Sequence, residues 1–170
     1  MEYFDLYDKD RNPTGEVLPR DSAIPEGKYH LVVFCCVFNS KGEMLIQQRQ
    51  PFKKDWSGLW DLSVGGSVIA GESSRIAIER ELEEEIGIKY DFSDARPKLS
   101  LYSKDRIYDI FMINIDVAPE ELKLQPEEVK QVKWADQEEI CRMINTGEFI
   151  RYNGSFISHL FDLKDMEILR

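Results

Sequence analysis

Six glutamates and two arginines crowd the stretch from Glu72 to Glu85. On a helix turning about 100° per residue, Glu81, Glu84 and Glu85 fall within a sector of about 100°, so three carboxylates point one way. Like charges at these spacings repel, and a bound cation is the natural way to relieve them. An all-oxygen donor set favours a hard divalent ion, magnesium or manganese. A run of acids is by default a solvated helix face, and that reading suits Glu79 and Glu83. It does not account for Gly66, Glu72, Arg80 and Gly87, which stand at fixed distances around the three carboxylates.

The elements that must position these groups follow from patterning. From Ser74 to Ile86 the apolar residues Ile78, Leu82 and Ile86 recur every four positions, which predicts one helix with a narrow core-facing stripe. Leu59 to Val64 reads as a short strand before it, broken by Gly65-Gly66. Gly87 is placed to end the helix in a left-handed conformation, with Ile88 opening the next strand. Upstream, Leu31 to Asn39 is a continuous β-branched and aromatic run; after Ser40-Lys41-Gly42, Glu43 to Gln48 reads as its hairpin partner. Tyr3 to Tyr7 and the turn-rich Asp8 to Gly15 predict an N-terminal hairpin. Downstream, Lys98 to Tyr102, Ile107 to Ile115 and Val129 to Trp134 read as strands, and Asp136 to Asn145 as a capped amphipathic helix. A last helix follows, with Ser155 as its cap and Phe156, Ile157, Leu160, Phe161 and Leu163 forming its apolar face. Strands and helices interleaved in this way predict an α/β (α+β) fold, a mixed sheet sandwiched between helices.

At 170 residues and 42% hydrophobic content, the chain fits a single domain, 1–170, with an extension at 1–29 and the core at 30–170. A formal net charge of −10 argues against long nucleic acid or an anionic membrane as partner, because either would repel the surface. It does not exclude a small anion that arrives with its own cations. The adjacent pair Cys35-Cys36 must face opposite sides of a strand, and with Cys141 the thiols read as small buried hydrophobes suited to a reducing compartment. With the longest apolar run, Leu31 to Phe38, far too short to span a bilayer, a cytoplasmic protein is expected.

Gly66, five residues, Glu72, seven residues, then Arg80-Glu81-Leu82-Glu83-Glu84-Glu85-Ile86-Gly87-Ile88 resembles the Nudix box at every position. The resemblance implies a Nudix fold and a hydrolase acting on phosphorus-containing acid anhydrides, cleaving a diphosphate bond in a nucleoside diphosphate derivative or similar small molecule. It implies magnesium or manganese held by Glu81, Glu84 and Glu85, with the Gly66 carbonyl joining them. Arg80 would orient a carboxylate, and Glu72 would fix the loop against the helix by a charge-assisted bond to Arg80. The reaction implied is attack of a metal-activated water on phosphorus. Glu85, Glu127 and Glu128 are the candidate bases.

The segment from His30 to Glu72 is similar, less closely, to the isopentenyl-diphosphate isomerase branch of that superfamily, through Gln48-Arg49, Lys53-Lys54 and Trp56-Ser57-Gly58-Leu59-Trp60. On that likeness Arg49 and Lys53 match diphosphate-binding positions, Trp56 is the better aromatic contact for substrate, and Trp60 belongs to the core. The isomerase alternative lacks its cysteine acid and metal histidine, since Gly65-Gly66-Ser67 stands there, and Asp109 is the one carboxylate in the later strand. His30 therefore reads as a strand-end residue with a satisfied ring, and His159 as structural. A non-catalytic nucleotide-sensing domain is the second alternative. An exposed edge of the N-terminal hairpin could supply a homodimer contact.

Overall fold

The computed structural model describes residues 2–166. Among the described residues, nine strands, three α-helices and one short 3-10 turn (Pro119–Glu121) follow one another. Strands β1 (Tyr3–Tyr7) and β2 (Pro13–Pro19) form the N-terminal hairpin as a separate two-stranded sheet. The core begins with β3 (His30–Phe38) and β4 (Met44–Arg49). Strand β3 is buried on both faces: Val33, Cys35 and Val37 lie in one apolar cluster, Cys36 and Phe38 in another. That double burial is why its sequence is a continuous apolar run rather than an alternating one. It also puts the two thiols on opposite faces as predicted, and burial raises both well above the usual range for a thiol.

β3 and β4 pair antiparallel across the expected turn, but only at its root. Their register contains one pair, Phe38 with Met44, and beyond it they diverge. Strand β3 pairs instead with β6 (Val64–Ser67) on one side and, in parallel, with β8 (Arg106–Asn114) on the other, while β7 (Leu99–Tyr102) lies beyond β8. Strand β4 takes β5 (Trp60–Asp61) and β9 (Val129–Ala135) as neighbours. The mixed sheet is thus two arms joined at the Asn39–Gly42 turn.

The single strand expected over Leu59 to Val64 is split for the same reason, because the chain passes from one arm to the other at Leu62-Ser63. Ser63 bridges the gap, its buried Oγ accepting from Val37 N–H at 2.9 Å while donating to the Leu45 carbonyl. Gly65 and Gly66 continue as part of β6 rather than ending it. Both need to be glycine for space: a Cβ on Gly65 would lie 2.4 Å from the Phe34 ring, and one on Gly66 would lie 2.0 Å from Glu81 Oε1.

Helix α1 (Ser74–Ile86) starts at Ser73, whose side chain accepts from Ile76 N–H, and ends at Gly87 with φ of 74°. Ile78, Leu82 and Ile86 are all fully buried against one face of the sheet. Ile88 does not open a strand; the next begins at Leu99. Helix α2 (Gln137–Thr146) is capped by Asp136 as predicted. Helix α3 (Gly154–Leu163) is capped by Asn153 rather than Ser155, two residues earlier than expected. These two helices cover the opposite face of the sheet, with Ile140, Met143, Ile157 and Leu160 in its core. No helix among the described residues is long and apolar enough to cross a membrane.

Candidate active site

The divergence of β3 from β4 opens a gap between the arms, and the glutamate face of α1 points into it. Glu85 sits at its base, buried, where its Oε2 accepts from Gln47 Nε2 on β4 (3.0 Å) and from Gly65 N–H on β6 (3.4 Å). Burial and the neighbouring Glu81 push its carboxyl well above the ordinary range, and the Gln47 bond only partly opposes them. Glu81, half-buried one turn earlier, is also pushed up by burial, against the pull of Arg80. Glu84 lies toward solvent.

Arg80 organises the group. Its Nε and Nη2 grip both oxygens of Glu72 at 2.9 and 3.0 Å, fixing the loop against the helix as expected. Its Nη1 donates to Glu81 at 2.8 Å and to Glu84 at 3.3 Å, and Nη2 also reaches the Ser67 carbonyl. The bonds to Glu72 raise the guanidinium further, so it stays charged. Glu79 is not the free surface residue expected; it accepts from Phe92 N–H and anchors the segment after the helix.

Gly66 belongs to the site for a different reason than the carbonyl assigned to it. Val68 N–H donates to the Leu31 carbonyl across the ladder, so alternation turns the Gly66 amide toward β3, where it lies opposite Val33. Gly65 and Ser67 then face the helix, as their bonds to Glu85 and Arg80 attest. The carbonyl available beside the glutamates is that of Gly65, whereas Gly66 contributes room for Glu81.

Together these groups line a polar cleft of about 180 Å³ that also holds Arg49, Lys53, Gln125 and Glu128. Arg49 and Lys53, which the isomerase likeness matches to diphosphate-binding positions, line the same cleft as the glutamates. Arg49 lies 3.9 Å from buried Asp61, which in turn accepts from the Tyr152 hydroxyl at 2.8 Å; Lys53 pairs with Glu128. Of the two candidate bases after the helix, Glu128 is in the cleft and Glu127 is exposed outside it. Trp56 is not in the cleft. It projects into an apolar groove of about 460 Å³ with Phe34, Tyr108, Tyr152 and Phe156. Sequence reasoning missed Gln47, Asp61 and Gln125, polar residues inside strands or turns that carry no motif of their own.

The donors fit a hard divalent cation: carboxylate oxygens, one backbone carbonyl, and buried acids whose raised affinity for protons a cation would reverse. Among the described residues no three acidic, histidine or cysteine side chains converge at metal-ligand spacing, since Glu81 and Glu84 are turned to Arg80 and Glu85 to Gln47. The isomerase set is not assembled. His30 is buried at the start of β3, stacked on Phe4 with ring centroids 4.6 Å apart, and neither ring nitrogen has a partner among the described residues. Its ring is therefore not satisfied as expected. Asp109 is occupied by Arg11, Ser74 and Ser100.

A fold of two splayed strand arms with a glutamate-bearing helix set beside the gap defines a class, and comparison with known proteins places the chain in it. The NUDIX domain model matches residues 28–155. An uncharacterized Nudix hydrolase of Listeria monocytogenes is 41% identical over 165 residues, covering 97% of this chain and 96% of the relative. An isopentenyl-diphosphate Delta-isomerase of Citrobacter koseri is 25% identical, covering 99% and 96%. Among solved structures, DR0079 from Deinococcus radiodurans shares the fold with a TM-score of 0.77 at 23% identity, covering 93% of this chain and 98% of that one. The chain belongs to the Nudix family and is a hydrolase of pyrophosphate bonds.

Proposed function

We propose that the chain cleaves the diphosphate bond of a nucleoside diphosphate derivative or similar small organic diphosphate, using magnesium or manganese held by Glu81, Glu84, Glu85 and the Gly65 carbonyl. The observation that carries this reading is the meeting of the box glutamates with Arg49 and Lys53 in one cleft. When bound, the metal would lower the pKa of a water and neutralise charge on the phosphate oxygens. Arg49 and Lys53 bind the non-bridging oxygens, Arg80 keeps Glu81 and Glu84 oriented, and Gln47 holds Glu85 in one rotamer. The proton of the attacking water passes to Glu85 or Glu128. The group beyond the diphosphate lies in the apolar groove beside Trp56, on the far side of β6.

Isomerisation is disfavoured by Gly65 itself, because a side chain in the acid position would run into the Phe34 ring. The test is a magnesium-dependent screen of nucleoside di- and triphosphates, nucleotide sugars, dinucleotides and isopentenyl diphosphate, following release of phosphate, pyrophosphate or phosphomonoesters and, for the last, isomer formation. Glu84→Gln and Glu85→Gln are expected to lower kcat by at least about 100-fold while the fold persists. Glu128→Gln, compared with Glu85→Gln at equal metal occupancy, identifies the base as the variant that loses turnover but not metal affinity. Full activity in all three would overturn the assignment, and isomer formation without release would revive the isomerase.

A further inference from the structure

The family match begins at residue 28, yet the cleft is also lined by two residues from the hairpin ahead of it, Glu2 and Arg20. They flank the paired ends of β1 and β2, where Arg20 N–H donates to the Glu2 carbonyl at 2.8 Å and the side chains pair at 2.5 Å. The hairpin is not a loose appendage. Tyr3 accepts from Ala70 N–H and Asp5 Oδ2 from Gly71 N–H, both at 2.7 Å, so it is hydrogen-bonded to the loop that leads into α1. Arg11 then bonds Ser74, the first residue of that helix, and Asp109 beneath it. Leu6 is buried. The hairpin's position is thus referenced to the glutamate helix itself.

The charges in the cleft are unequally committed. Arg80 is held by three carboxylates and Lys53 by Glu128, whereas Arg20 is bound to Glu2 alone, with both side chains about half exposed. An exposed pair of this kind is worth little, so Arg20 can leave Glu2 for a phosphate at small cost. We propose that the N-terminal hairpin is a working part of the active site, and that Arg20 is a cation for the substrate's phosphates, held in readiness by Glu2. The Listeria relative aligns over 97% of this chain, so the likeness takes in most of the hairpin as well as the matched domain.

This inference rests on the diphosphate reading, and the test separates the two. Methylenediphosphonate, which cannot be hydrolysed, is titrated calorimetrically into the full chain with magnesium. Arg20→Ala is expected to weaken its binding about tenfold, the loss typical of one charge-assisted contact, with an unchanged unfolding midpoint. Arg20→Lys keeps part of the affinity, and Glu2→Gln binds as tightly or more tightly. Arg96→Ala removes an exposed cation outside the cleft and controls for net charge. If Arg20→Ala binds no more weakly than Arg96→Ala, the hairpin inference fails while the diphosphate reading stands. If the unaltered protein does not bind the probe, both fall.

Discussion

At the scale of single residues, His30 shows how burial decides the charge state of an ionisable side chain. Sandwiched against Phe4 with both nitrogens unpaired among the described residues, its imidazole is held neutral: burial, helped by Arg106, lowers its pKa from 6.5 to about 4. A folded pKa below the unfolded one means that the unfolded chain takes up the proton more readily. The stability is then full above about pH 6.5 and drains away as pH falls toward 4, by up to about 3 kcal/mol. His30→Phe preserves the stack on Phe4 and removes the proton. Its urea midpoint is expected to change less than that of the unaltered protein between pH 7.5 and 4.5. Parallel profiles would show that the ring finds a partner in solution.

At the scale of elements, the sequence was legible wherever one element answers to one local rule. The four-residue stripe in α1, the Gly87 terminus and the Asp136 cap are such cases, and the Glu72–Arg80 clasp is the one that resemblance to the Nudix box implies. It was illegible where an element depends on partners far along the chain. Nothing local in Leu31 to Gln48 says that β3 and β4 part after one pair, because the strands that draw them apart are β6 and β8 on one side and β5 and β9 on the other. The double glycine looked like a break because small residues usually are one; here they answer to Phe34 and Glu81, contacts invisible in the sequence. Ser63 was unremarked for the same reason, though it ties the arms at their crossing. Ser63→Ala leaves the buried Val37 N–H without its acceptor and is expected to cost about 2 kcal/mol in urea denaturation. A change within about 0.5 kcal/mol would mean that the arms hold their register without it.

At the scale of the whole molecule, a buried charge adds to the backbone bonds that join the hairpin to the domain. Asp109 is fully buried, and burial alone would raise its pKa, but Arg11, Ser100 and Ser74 outweigh that and hold it below the usual carboxylate range. Arg11→Ala strands this carboxylate and is expected to destabilise by about 2 to 3 kcal/mol, toward the low side for a buried pair because Arg11 is itself about a third exposed. Adding Asp109→Asn should restore part of the loss, and amide exchange should quicken across Tyr3 to Pro19 in the single variant. Equal stability of the single variant and the unaltered protein would show that the hairpin is held by its backbone bonds and by Leu6. Strand β6 carries a further consequence. It is a wall one backbone thick: its peptide groups at Gly65 and Ser67 reach Glu85 and Arg80, while the bare Cα of Gly66 faces Glu81 and that of Gly65 rests on Phe34 beside the apolar groove. With the group beyond the diphosphate in the groove, as proposed, a lineage could redraw the groove at Phe34, Trp56 or Tyr108 without disturbing the cleft, and substrate preference would drift while the hydrolytic apparatus is inherited unchanged.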